Sequence, residues 1–262
     1  FPTEVKQFIR SRKKDVFTHA WLKYGLLEAV ADETLSDEGF SLLQRFAKVF
    51  EQTYTRFLDL QKAEAQAREA QIEAALERLR ARSMAMHQSG ELNEIVAVVY
   101  EQLSQLGFDS SSYLIRTRDD GKEAFNTWLS FKEISTLPKG YYLPKLNNPI
   151  HKRILKAWDD QEEYKVIEFG GDEKRKYDNL LLTKTSWKEF PQKAKEAIRS
   201  MDYAVICLSS FRHIGLQAIG TEPLPDDQAN ILVRFARVFE QTYTRFLDLQ
   251  KAEAQAREAQ IE

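Results

Sequence analysis

Apolar residues along this chain recur with two different periods, and the change of period divides it. From Asp37 to Gln105 there is no proline, and the apolar positions are spaced mostly by threes and fours. Leu43, Phe46, Phe50, Phe57 and Leu60 make one stripe, Ala63, Ala67, Ala70 and Ala74 a second, and Ile72, Leu76 and Leu79 a third. Such spacing predicts helix, and at ~1.5 Å per residue an unbroken one would be a rod of about 100 Å. Alternating threes and fours is also coiled-coil spacing, so a parallel homodimer through the long helices is expected, although the alanine seam is thin and the stripes are out of phase. A single solvated helix is the alternative, with Lys62, Glu64, Arg68, Glu69 and Glu73 on its wet face.

Between Phe108 and Gly220 the runs become short and strand-like. Residues 111–118 and 124–131, joined across Asp119-Asp120-Gly121-Lys122, read as a hairpin, because Asp-Gly between strand-like runs is a strong turn signal. Residues 141–143 form a short strand. Asn148-Pro149 opens a helix to about Trp158, with Asn as N-cap and Pro at the first helical position. A strand over 164–169, a helix over 174–182 and a helix to Ser200, begun by the capping-box spacing of Ser186 and Glu189, follow. Residues 203–211 and 214–219 form a second hairpin, and the run from Ala204 to Leu208 is apolar on both faces, as a covered central strand requires. Asp226-Asp227 starts the second long helix, with acids at the positive end of its dipole. The expected class is α+β: an antiparallel sheet of about six strands flanked by helices, with long N- and C-terminal coiled-coil helices.

The chain also repeats itself. Residues 45–73 return at 234–262 with one change, Lys48 becoming Arg237, an offset of 189 (234 minus 45). In the same register Phe1-Pro2 meets Phe190-Pro191, Asp37 meets Asp226 and Leu43 meets Leu232. One full unit of 189 residues plus an overhang of 73 accounts for all 262. The expectation is a window from a longer tandem array: 1–35 as the end of a preceding repeat, 36–90 as a helical linker, 91–240 as a complete domain and 241–262 as the start of the next linker. In the overhang a helix at 3–12 precedes strands near 16–22 and 26–31. Two strands alone are marginal and expose their edges, so this end is expected to be poorly ordered or paired.

Composition narrows the function classes. With 43% hydrophobic and 11% aromatic residues the chain can bury a sizeable core. A formal charge of −2 argues against a nucleic-acid partner. No apolar run reaches the roughly 18 residues of a membrane span. One cysteine excludes an internal disulfide and suits a reducing, cytoplasmic setting.

A domain over 91–240, entered and left by long helices and repeated in tandem, resembles the GAF-type sensory domains of bacterial multidomain signalling proteins. The run Ala74-Ala75-Leu76-Glu77-Arg78-Leu79-Arg80-Ala81-Arg82-Ser83-Met84-Ala85-Met86, followed by Glu91-Leu92-Asn93-Glu94-Ile95 and Tyr100-Glu101-Gln102-Leu103, is similar to linkers that precede such domains in tandem-GAF sensor histidine kinases. The resemblance implies a two-component signalling role, a pocket between sheet and covering helices, dimerisation through the helices, and a signal passed along them to an output domain beyond Glu262.

Motif by motif, the chemistry is sparse. Gly170-Gly171-Asp172-Glu173 echoes the Gly-Gly-Asp-Glu-Phe loop of diguanylate cyclases, but Lys174 replaces the Phe, and a strand-to-helix turn is the simpler reading. The Asn-Lys and Phe-xxx-Asp-Glu pattern of cyclic-nucleotide-binding GAF domains is mis-spaced twice, at Asn148/Lys152 and at Phe169 before Asp172-Glu173. Cys207 lies within an apolar strand and reads as buried and inert. His19, His87, His151 and His213 have no second ligand at metal spacing, and His87 is followed by Gln88 where related kinases carry an acid. Neither a metal site nor a catalytic constellation is expected, and no cofactor is indicated. Among the aromatic residues Tyr113, Trp128, Tyr142 and Trp158 are the candidates to line a ligand pocket. The expected function is a non-enzymatic sensory fragment relaying ligand or redox input through dimeric helices. The alternative is a dimerisation or spacer module that binds nothing.

Overall fold

A computed structural model describes residues 3, 14–85, 91–118, 123–131 and 140–261. The expected helix at 3–12, the Asp-Gly turn at 119–122 and His87 therefore lie outside the described residues, Thr3 apart. The chain forms two compact units, 1–70 and 71–262, which meet inside one long helix.

In the first unit β1 (Val16–Leu22) and β2 (Gly25–Ala31) pair antiparallel, Val16 opposite Ala31 and Leu22 opposite Gly25. Helix α1 (Asp37–Met84) follows, its first turn holding Asp37 and Glu38 and the Gly39 N–H donating to Ser36 Oγ at 3.2 Å. The Lys23 N–H in the hairpin turn donates to Glu51 of α1 at 3.3 Å, and Tyr24 lies edge-on to Tyr54.

The second unit begins with the last part of α1. It continues through α2 (Leu92–Gln105), β3 (Ser112–Thr117), β4 (Phe125–Phe131), β5 (Tyr141–Leu143) and α3 (Pro149–Asp159). Then come β6 (Lys165–Gly170), α4 (Gly171–Lys184), a 3-10 turn (Ser186–Glu189), α5 (Gln192–Ser200), β7 (Tyr203–Ser210), β8 (Ile214–Gly220) and α6 (Asp226–Ile261). The sheet has six strands in the order β5-β4-β3-β8-β7-β6, every pairing antiparallel. The class is α+β, with helices on both faces. Strand alternation splits the interior into two cores: Tyr113 and Ile115 of β3 join the end of α1, α2 and α6, while Leu114 between them joins α3, α4 and α5.

Local chemistry sets the element ends. Asn148 Oδ1 accepts the Ile150 N–H at 2.8 Å and caps α3, as its Asn-Pro start predicts. Gly170 ends β6, and Gly171 opens α4 with φ of +55°, so Gly-Gly-Asp-Glu is a strand-to-helix turn. The expected capping box at Ser186 is absent. Thr185 Oγ1 instead accepts the Trp187 N–H at 3.1 Å, Ser186 Oγ donates to the Tyr142 carbonyl, and only a 3-10 turn forms. Pro191 forces Phe190 out of the helical region, to ψ of 145°, so the helix restarts at Gln192.

The rod expected over 37–105 is two helices, the first ending at Met84 and the second starting at Leu92. Its Ile72, Leu76 and Leu79 stripe is no free seam, because all three are buried in the core of their own unit. Ala63, Ala67, Ala70 and Ala74 are exposed.

The repeat holds in three dimensions. The β7/β8 hairpin pairs Val205 with Gly220 and Ile206 with Ile219, each 189 residues on from Val16 with Ala31 and Phe17 with Val30, and α6 starts at Asp226 as α1 starts at Asp37. Burial does not repeat. Phe235, Phe239, Tyr243 and Phe246 are buried against Ile72, Leu76, Leu79 and α2, whereas their counterparts Phe46, Phe50, Tyr54 and Phe57 are exposed.

Candidate ligand cavity

A cavity of about 550 Å³ lies between the sheet and the layer made by α4, the 3-10 turn and α5. Leu114, Leu129, Phe169, Ile206 and Ile219 form its sheet wall, and Leu181 and Trp187 supply apolar surface from the covering side. The volume lies within the range of small-molecule sites, on the order of 300–1,000 Å³, and an apolar lining with a few placed polar groups is their usual chemistry.

Arg116 of β3 is the polar group that stands out. It belongs to the cavity wall, is 2% exposed, and its Nε and Nη1 have no hydrogen-bond partner among the described residues. Its guanidinium lies 5.5 Å from the centre of the Phe125 ring, a cation–π contact that offsets only part of the lost hydration. Burial pulls its pKa below the ordinary value, with nearby Tyr177 opposing. The Tyr177 hydroxyl is also buried and lies beside Arg116 without a well-formed hydrogen bond, and burial raises its pKa against the pull of that guanidinium.

The second buried cation is compensated. Lys174 Nζ donates to Asp178, one helical turn along α4, and to the Ile198 carbonyl at 2.7 Å. Burial raises the Asp178 pKa, and Lys174 works against that shift. His151 of α3 is fully buried, its ring edge-on to Phe125 and both ring nitrogens unpartnered. Burial first, and Arg116 second, pull its pKa down to about 3, so at neutral pH it carries no charge. Thr127, which faces Arg116 across the β3/β4 ladder, and Gln217 of β8 carry further buried side-chain atoms without partners. Native interiors leave few such groups, so Arg116, Thr127, His151 and Tyr177 mark a place where polar partners are owed.

None of the four aromatic candidates lines this cavity. Tyr113 and Trp128 point to the opposite face, where Tyr113 packs edge-on to Tyr100. Tyr142 is exposed on β5. Trp158 is buried beside Phe125, its Nε1 donating to the Arg212 carbonyl at 3.2 Å. Arg116 did not stand out in the sequence, and Tyr177, one of the wider set of aromatic residues, was not among the four candidates. The available signal was an arginine at a position of β3 whose neighbours, Leu114 and Ile115, are apolar on both faces.

Two other groups have local explanations. Cys207 is buried on the face that packs with the end of α1, α2 and α6, its Sγ accepting the Leu224 N–H at 3.4 Å. Glu240 of α6 accepts the backbone N–H of His213 and of Ile214, at 3.0 and 2.9 Å, and contacts His213 Nδ1 at 2.9 Å. No group of three or more His, Cys, Asp or Glu side chains fit to hold a metal exists among the described residues. Among the described residues no helix is long and apolar enough to cross a membrane. No protein-family model matches the chain, and no curated protein matches it.

Proposed function

We propose that this chain is a sensory fragment of GAF type, in which a small molecule held in the cavity biases the packing of the long helices on the other face of the sheet. One observation carries the reading: the sheet wall of the cavity is also the floor of the helix layer. Leu114 and Arg116 line the cavity, while Tyr113 and Ile115, one residue away on the same strand, pack with the end of α1, α2 and α6. A ligand that shifts β3 therefore acts on both helices, which leave the domain in opposite chain directions. Close-packed layers respond by switching between discrete arrangements.

The dimer contact in this reading falls to the exposed alanine seam, Ala63, Ala67, Ala70 and Ala74, because the Ile72, Leu76 and Leu79 stripe is occupied within the domain. Six antiparallel strands with a cavity under one helical layer support the GAF-type reading. No catalytic role is assigned to any residue, and the output is carried by another domain. Native mass spectrometry of the purified protein tests the proposal. Two chains per particle with a retained small mass supports it, whereas a single chain with nothing bound favours a spacer module.

A further inference from the structure

The cavity carries more chemical information than its position. Its interior charges do not balance. Lys174 and Asp178 form a closed ion pair, and Lys193 and Glu196 are exposed residues of opposite sign on α5, which leaves the Arg116 guanidinium as a single buried positive charge. An uncompensated ion so deeply buried is costly, and the neutral neighbours His151 and Tyr177 supply no counter-charge. Around Arg116 the wall is aliphatic and aromatic.

We propose that the cavity binds a small organic monocarboxylate, its carboxylate paired with Arg116 and accepting from the Tyr177 hydroxyl, its apolar body lying among Leu114, Leu129, Phe169 and Ile206. One buried positive charge calls for one negative charge. A phosphate dianion would bring two negative charges to a wall whose formal charges, Arg116, Lys174 and Lys193 against Asp178 and Glu196, sum to one positive, and a neutral molecule would leave the guanidinium unpaired. The proposal rests on the reading of the cavity as a ligand site and adds the class of ligand.

Calorimetric titration of the whole chain with octanoate and phenylacetate, against octanamide, phenylacetamide and inorganic phosphate as controls, tests it. The acids are expected to bind at least ten-fold more tightly than their amides, with no binding of phosphate. Arg116→Met should abolish the preference for acid over amide and, without ligand, melt at or above the wild-type temperature, because a buried unpaired charge has been removed. Should that variant fail to fold, the acid-to-amide ratio on the wild-type protein decides alone. Equal binding of acid and amide overturns the carboxylate assignment and leaves the ligand site standing, as does preferential binding of phosphate. Failure of every probe, together with an Arg116→Met protein that melts lower, overturns both and makes the guanidinium a structural group.

Discussion

Phe239 and Phe50 occupy the same position of one repeated segment, and Phe239 is 1% exposed where Phe50 is 56% exposed. Their neighbours in sequence are the same, their hairpins pair in the same register, and both lie on long helices. What differs is the third layer: in the second unit Ile72, Leu76 and Leu79 of α1 and Ile95, Val96 and Val99 of α2 cover the stripe. Truncating the two phenylalanines should therefore have unequal effects. Phe239→Ala is expected to cost about 3–5 kcal/mol, the range for a buried aromatic ring, and Phe50→Ala less than about 0.5 kcal/mol. Urea unfolding separates them when far-UV circular dichroism, which follows both units, is read beside tryptophan emission, in which Trp128, Trp158 and Trp187 report the second unit and Trp21 the first.

Glu240 and Glu51 make the same comparison with a polar group. Glu240 receives two backbone N–H groups from the β7/β8 turn in a half-buried site, whereas Glu51 receives one, from Lys23 at 3.3 Å, at the surface. Glu240→Ala should cost about 2–3 kcal/mol, because hydrogen bonds to a charged acceptor are lost and buried donors are left unpaired. Glu51→Ala should cost under about 1 kcal/mol. Thermal unfolding of the two variants side by side provides the measurement.

His151 should make the domain acid-sensitive. Its folded pKa is pulled down to about 3 from an ordinary 6.5, so between those values the unfolded chain takes up a proton that the folded one refuses. Stability from this group is complete above the unfolded value and is lost as pH falls below it, by up to about 1.4 kcal/mol per pH unit. The wild type should lose stability from pH 6.5 towards pH 4 more steeply than His151→Leu, which has no proton to gain. Parallel profiles for the two proteins would contradict the assignment.

Gly215 is required by contact with Trp158. A Cβ at this position would lie 2.5 Å from the Trp158 ring, which is itself buried and held by its bond to the Arg212 carbonyl. Gly215→Ala should destabilise by about 1–3 kcal/mol through overpacking and shift the tryptophan emission. The equivalent residue of the first unit, 189 positions earlier, is Leu26, which is exposed and pairs with Trp21 across the β1/β2 ladder.

Much of the architecture follows from short-range pattern. The strand-like runs of β3 and β4, the doubly apolar β7, the Asn148-Pro149 start of α3 and the acids opening α1 and α6 each state a local preference that the fold obeys. Element type is decided by periods of two and 3.6 within a few residues, which is why it reads directly. Where a distant residue intervened, the pattern misled. Ser186 has capping-box spacing, yet its hydroxyl is used by the Tyr142 carbonyl 44 residues away and Pro191 stops the turn from continuing.

The sequence by itself determined the repeat, its 189-residue offset, the class of the fold and the sparseness of catalytic motifs. It could not decide which copy of the repeated stripe is covered, because the 29 residues from 45 to 73 are the same, save one, as those from 234 to 262. Nor could it say which aromatic side chains line the cavity, since an aromatic side chain is equally suited to core and to pocket. Tertiary structure decided both. Burial depends on which layers meet, and the layers sent Tyr113 and Trp128 to the face that carries the long helices while enclosing Arg116 of β3 beside a cavity with its charge unpaired.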